Sequence, residues 1–213
     1  DGVVKAGQSV SVDAGQLGGD GKLLSLGDMT LKSNTTFSNS GQTIANGNLT
    51  LSVNGDVSNT GSLLAGSRLD LNSIRLENTE KGEISAGQTW LNVTDTLLNR
   101  GLIDGKYTRL QANTLTNSGT GRIYGDAVGV SAATFNNLDE NGVAATLAGR
   151  ERVDLGIQTL NNRTHSLIYS AGDMHIGGTL DANGTATGKA GVLNNHSATI
   201  EAAGYLALSA GQI

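Results

Sequence analysis

The groups in this 213-residue chain that could do chemistry are three histidines, 19 acidic and 14 basic residues; there is no cysteine. Acid–base catalysis, nucleophilic attack or metal ligation would need some of them to converge at fixed spacings. His165, His175 and His196 lack local metal-ligand spacing. His165 and His196 fall in turn-like segments, and His175 occupies an outward strand position. Gly184, Gly188 and Lys189 resemble a phosphate loop. That motif needs four residues between the glycines and a Ser or Thr after the lysine. Here there are three, and Ala190 follows. Gly18, Gly19, Asp20 and Gly21 resemble a calcium nonapeptide, but Leu23 stands where the next Asp belongs and the motif does not recur. No Gly-x-Ser-x-Gly elbow is present. The chain is expected to hold no cofactor, no metal and no catalytic residues, and not to be an enzyme.

What the chain does have is a period. Asn39, Asn59, Asn78, Asn99, Asn117 and Asn137 recur at steps of 20, 19, 21, 18 and 20 residues. Asn162 and Asn195 continue the series, and Gly19 takes its place at the start. Gly7, Gly27, Gly47, Gly66, Gly87, Gly105 and Gly125 run in the same phase. A step near 20 is the mark of one small unit stacked along an axis. Each unit carries an apolar–polar–apolar triplet: Val10/Val12, Met29/Leu31, Leu49/Leu51, Leu69/Leu71, Leu91/Val93, Leu110/Ala112, Val128/Val130, Val153/Leu155, Met174/Ile176 and Leu206/Leu208. Alternation of period two makes a strand with one face inward. The residues between, such as Asp70, Asn92, Asp154 and His175, are expected to face solvent.

A second apolar position (Leu17, Phe37, Val57, Leu76, Leu97, Leu115, Phe135, Leu160) lies two residues before each Asn or its Gly19 substitute. A third follows it: Val4, Leu24, Ile44, Leu63, Ile84, Ile103, Ile123, Leu147, Ile168 and Ile200. Three strands in about 20 residues leave no chain for a crossover helix. The expected fold is all-β, a parallel β-helix of about ten coils with three short strands each. At about 4.8 Å per coil the rod is roughly 45–50 Å long. The Asn residues either stack as an amide ladder or each cap their own turn, with the Gly that often follows, as at Gly41, Gly61, Gly101 and Gly119, suited to positive φ.

Composition agrees. There is no proline, which could not donate to ladders paired on both sides, and aromatics are only 3%. The net charge of −5 is scattered, without the basic run that nucleic-acid binding requires. No stretch approaches the ~20 apolar residues of a membrane span. Residues 1–213 read as a single repeat segment of a longer protein, with no nucleic-acid partner and no membrane-spanning part.

Two insertions break the period, near 138–146 and 181–192. Insertions in repeat proteins map to surface loops and are often the binding face; the alternative is tolerated decoration. Asp139, Glu140, Asn141, Asp181, Asn183 and Lys189 are the candidate binding-loop residues. In the coil register, His175 stacks over Asp154 as a weak exposed ion pair, and Asp70 has Thr50 and Asn92 as neighbours. Carboxylate pairs of the kind used by polysaccharide-cleaving β-helices do not stack in that strand. Trp90 adjoins a triplet and is expected either to be exposed or, as the preferred reading, to pack over a coil edge.

The order Leu-x-Asn-x-Gly, Ile-x-Ala-Gly, Leu-x-Leu resembles the filamentous haemagglutinin repeats of Gram-negative two-partner-secretion exoproteins. Residues 57–61 and 63–71 are clear instances. Residues 186–204 are similar to a segment of large haemagglutinins and of contact-dependent growth inhibition toxins of the CdiA type. The resemblance covers nearly the whole chain. It implies a right-handed helix within a long filament. It also implies secretion to the outer surface through an outer-membrane β-barrel transporter, and a target-cell receptor, protein or glycan, as partner. The function implied is a cell-contact stalk or receptor-binding part, of a growth-inhibition toxin or of a host-cell adhesin.

Overall fold

The computed structural model describes residues 2–213. Among them there is no helix. The chain winds as a parallel β-helix of about ten coils with three faces. On the first face Val10–Ala14, Met29–Ser33 and Leu49–Val53 pair in sequence. On the second, Leu17–Gly19, Phe37–Asn39 and Asp56–Asn59 do the same. On the third, Val3–Ala6, Lys22–Ser25 and Gln42–Ala45 follow suit. Further along, strands fuse around the corners. Leu102–Ser118, Arg122–Glu140 and Thr146–Arg163 each run through most of a coil.

The interior is built of stacked columns. Leu31, Leu51, Leu71, Leu91, Leu110, Val130, Leu155 and Ile176 are register partners in succession, and all are buried. Each such burial contributes roughly 1.5–3 kcal/mol. Two columns differ from the sequence expectation. On the third face Leu23 and Thr43 stand in line with Leu63, whereas Leu24 and Ile44 point outward. On the first face Thr89 and Thr108 take the place of Leu69. Both threonines are buried. Their hydroxyls donate to the carbonyls of Asp104 (2.6 Å) and Tyr124 (2.7 Å), so an inward Thr leaves no polar group unpaired. The neighbour of Asp70 is consequently Trp90, not Asn92.

The repeated Asn residues end the second-face strands, and their side chains form one continuous chain of amide hydrogen bonds. Each Nδ2 donates to the Oδ1 of the next, from Asn39 through Asn59, Asn78, Asn99, Asn117, Asn137 and Asn162 to Asn195, at 2.8–2.9 Å. The same Nδ2 also donates to a backbone carbonyl of the next coil, for example Asn99 to Arg122 at 3.3 Å and Asn117 to Thr146 at 3.1 Å. Asn59 through Asn162 are fully buried. None of these Asn residues has positive φ; among the glycines that follow them, Gly119 does (φ 59°), whereas Gly41, Gly61 and Gly101 do not. Those three serve close approach instead: a Cβ there would run into the carbonyl oxygen of the glycine one coil earlier.

The first insertion is a two-residue hairpin. Asp139 and Glu140 pair antiparallel with Ala144 and Val143. Asn141 (φ 53°) and Gly142 (φ 78°) supply the two positive φ angles that a type I′ turn needs. Glu140 ties the hairpin to the rod. Its carboxylate accepts from Arg100 Nε (2.6 Å) and Nη2 (2.9 Å) and from Ser118 Oγ (3.1 Å). The hydrogen bond from Arg100 holds the Glu140 carboxyl below the usual carboxylate range, and the same bond raises Arg100.

Replacing Asn99 by Ala strands a donor on Asn78 and an acceptor on Asn117. A buried amide group left unpaired costs about 1–3 kcal/mol, so Asn99→Ala is expected to destabilise the chain by about 2–5 kcal/mol. Asn195→Ala, at the exposed end of the ladder, is expected to cost under about 1 kcal/mol. Urea unfolding of the two variants beside the parent measures the difference, and equal midpoints would show that the ladder adds nothing. For Glu140 the folded pKa lies below the unfolded value of about 4.3. The ion pair's contribution is therefore complete above that pH and lost as pH falls through the folded value. Thermal midpoints followed across this window should fall more steeply for the parent than for Glu140→Gln.

Candidate functional site

Outward positions on the first face form columns too. One runs Arg68, Gln88, Tyr107, Ala127, Arg152; the next runs Asp70, Trp90, Arg109, Gly129, Asp154, His175. One coil in these columns, that of Ala127 and Gly129, carries almost no side chain. The coils on either side carry large ones. A groove of about 480 Å³ results, lined among others by Trp90, Tyr107, Arg109, Glu151, Arg152 and Asn183.

One wall is aromatic and basic. Arg68 lies over the Trp90 ring, 3.6 Å from its centroid, and Arg109 is 5.7 Å from the same centroid. Guanidinium groups over an indole face are attracted by its quadrupole, so Trp90 fixes the stance of both. Arg68 also pairs with Asp70 at 2.7 Å. Arg109 forms no ion pair with any carboxylate among the described residues. Tyr107, beside it, is 55% exposed. Trp90 therefore packs between cations on the outer face, not over a coil edge.

The second insertion forms the other wall. Thr179–Leu180 and Ala186–Thr187 pair antiparallel as a hairpin folded down on the first face. Asp181 shapes its tip, with Oδ1 accepting from the amides of Asn183 and Thr185, both at 2.9 Å. Gln158 Nε2 donates to the Gly178 carbonyl at 2.8 Å, and the Ala186 amide donates to Asp154 Oδ1 at 2.8 Å. Gly156 is required beneath it, since a Cβ there would collide with the backbone of Thr179 and Leu180. Leu180 covers Gly129.

Asp154 is the anchor. Expected at the surface, it is only 2% exposed because the hairpin covers it. Its carboxylate is taken by Arg152 and the Ala186 amide. Such a buried charge is tolerable only when paired and hydrogen-bonded. His175 does stack on it, but Nδ1 stands 3.6 Å from Oδ1, beyond hydrogen-bond range, and has no other partner. The ion pair is thus neither exposed nor closed.

The candidate loop residues are not brought together. Asn183 lines the groove, Asp181 builds its hairpin, and Lys189 is exposed beyond it. Asp139, Glu140 and Asn141 form the other hairpin, against Arg100 and Ser118. An external ladder escaped the sequence reading. Asn194 donates to Asn161 (3.0 Å), Asn161 to Asn136 (2.8 Å), and Asn136 to Thr116 (3.2 Å). The doubled Asn at 136–137, 161–162 and 194–195 was its signal. Among the described residues, no three His, Cys, Asp or Glu side chains gather in a metal-binding group. The groove's means are stacking and hydrogen bonding: a tyrosine ring, a guanidinium, the Glu151 carboxylate and the Asn183 amide.

No curated protein and no solved structure matches the chain. Residues 6–73, the first coils of the rod, match the family model of the haemagglutinin repeat.

Proposed function

We propose that this chain is an interior filament segment of a secreted exoprotein on the outer surface of a Gram-negative bacterium, where it makes contact with another cell. The observation that supports this is continuity. The coil that matches the haemagglutinin repeat over residues 6–73 is carried in the same stacking register to residues 206–208. Haemagglutinin repeats are characteristic of surface exoproteins, so the rod is read as reach and its outer faces as contact surface. In this reading residues 1–213 are one repeat segment, export runs through an outer-membrane β-barrel transporter, and the partner is a receptor on the target cell.

Within that class the chain is assigned to the stalk or receptor-binding part of a contact-dependent growth inhibition toxin, with a haemagglutinin-type adhesin for host cells as the second reading. Catalysis is not part of either. Most glycoside hydrolases use two cooperating carboxyl groups. In the groove Asp154 is committed to Arg152 and the hairpin amide, which leaves Glu151 without a second acid.

The test is binding of the purified chain to whole bacterial cells and to epithelial cells, side by side. Saturable binding to bacteria is the expected outcome. Saturable binding to epithelial cells alone would replace the toxin assignment with the host adhesin. Binding to neither, by a folded chain, would reduce the segment to a spacer and overturn receptor binding.

A further inference from the structure

We infer that the groove between Tyr107, Arg109 and the 179–187 hairpin is a saccharide-binding site that takes a neutral sugar unit of a glycan chain. This rests on the reading of the chain as a cell-contact segment and names the chemistry of the contact.

Shape comes first. Ala127 leaves the floor low between two coils of large side chains, and the Leu180 side chain closes it over Gly129. The strands that flank the floor lie two coil steps apart, about 9–10 Å between backbones, a spacing on the scale of a sugar ring with its flanking side chains. Its volume of about 480 Å³ lies within the range of small-ligand sites, about 300–1,000 Å³. The walls do not need to form on binding. Trp90 holds Arg109 in place on one side. Asp154, Gly156 and Gln158 seat the hairpin on the other. A preformed site spares the ligand the ordering cost.

Chemistry selects the occupant. An exposed tyrosine ring offers a flat apolar face with a polar tip, the counterpart of the C–H face of a pyranose. Around it stand donors and acceptors on polar side chains: Arg109, Asn183 and Glu151. Hydroxyl groups, each both donor and acceptor, can satisfy a cation and an anion at once. The charges of the lining balance, Arg109 and Arg152 against Glu151 and Asp154, so there is no net field to draw a polyanion. A peptide is less suited. The strands under the groove are paired on both sides, leaving no edge to which an extended peptide could add.

The experiment is calorimetric titration of the 213-residue chain with neutral tetrasaccharides of glucose, galactose and N-acetylglucosamine, and with tetragalacturonate. At least one neutral tetrasaccharide is expected to bind. Tyr107→Ala and Arg109→Ala are each expected to weaken it about tenfold or more, and Ala127→Arg, which fills the floor, to abolish it. Lys189→Ala, outside the groove, should leave it unchanged. Circular dichroism and unfolding midpoints check that the variants fold. Should one not fold, saturation transfer from the parent chain's Tyr107 ring to the bound sugar gives the same answer. Absence of binding by all neutral sugars, binding of tetragalacturonate alone, or affinity indifferent to Tyr107→Ala would each overturn the site. Cell binding that persists without saccharide binding sinks this inference and leaves the cell-contact reading standing. Saccharide binding without cell binding does the reverse.

Discussion

Every backbone amide and carbonyl on the three faces of this rod depends on the coil next to it. A coil alone has no partner for its own N–H and C=O groups, and an unpaired buried peptide group costs about as much as a lost hydrogen bond. The requirement is the same at each step, so the same residue types return at each step. It explains why an inward column can run Leu31, Leu51, Leu71, Leu91, Leu110 with almost no variation, and why proline is missing altogether. The Asn ladder is the side-chain form of the same rule. A buried amide carries two donors and two acceptor sites; those of Asn99 are met by the Asn amides one coil either way, by the Arg122 carbonyl of the next coil and by the Gly101 carbonyl of its own turn.

Outward positions carry no such obligation, and that freedom is where a site can arise. Around residues 88–154 it is used: aromatic and basic side chains, then a coil of Ala127 and Gly129, then Arg152 and Asp154. The hairpin adds depth that a smooth rod lacks. Its docking depends on Asp154, a charge that would be a liability in the dry interior and is tolerable here because Arg152 and a backbone amide meet it. Glu140 does the corresponding work for the other hairpin, with its carboxylate committed to Arg100 and Ser118, which leaves Asp139 as that hairpin's remaining charge.

The architecture was legible in the sequence because period and burial share a cause. Leu69, Leu71 and Asn78 announce their positions by recurrence. The phase was less secure where recurrence was chemically ambiguous. Leu23 and Leu24 are equally apolar, so nothing local says which faces inward, and Thr43 in the next coil breaks the tie only to an eye that accepts an inward Thr. Thr89 and Thr108 misled for the same reason: Thr has the shape of Val, and its hydroxyl is hidden by a carbonyl from the following coil. That slip moved Asp70 away from Trp90 and with it hid the groove. The site itself is assembled from residues about 20 apart in sequence plus a hairpin that leaves the period, so no local motif could have marked it.

The insertions also show why such a rod can acquire sites without losing its stack. Between Asn137 and Asn162 the step grows to 25 residues, and between Asn162 and Asn195 to 33, yet the amide hydrogen bonds across both gaps are 2.9 and 2.8 Å, the same as in the regular coils. Loop closure explains the tolerance. Its cost rises only with the logarithm of length, about 0.6 kcal/mol per doubling, while each restored coil regains its full set of inter-coil hydrogen bonds and its inward side chains. The excursion recovers part of even that cost when it docks, as the 179–187 hairpin does on Gly156 and Asp154. Extra chain is thus cheap wherever exit and re-entry lie close together, and the stack on either side is indifferent to what the excursion builds. Variation in surface chemistry is confined to outward columns and insertions, and the inward columns that hold the rod together need not change with it.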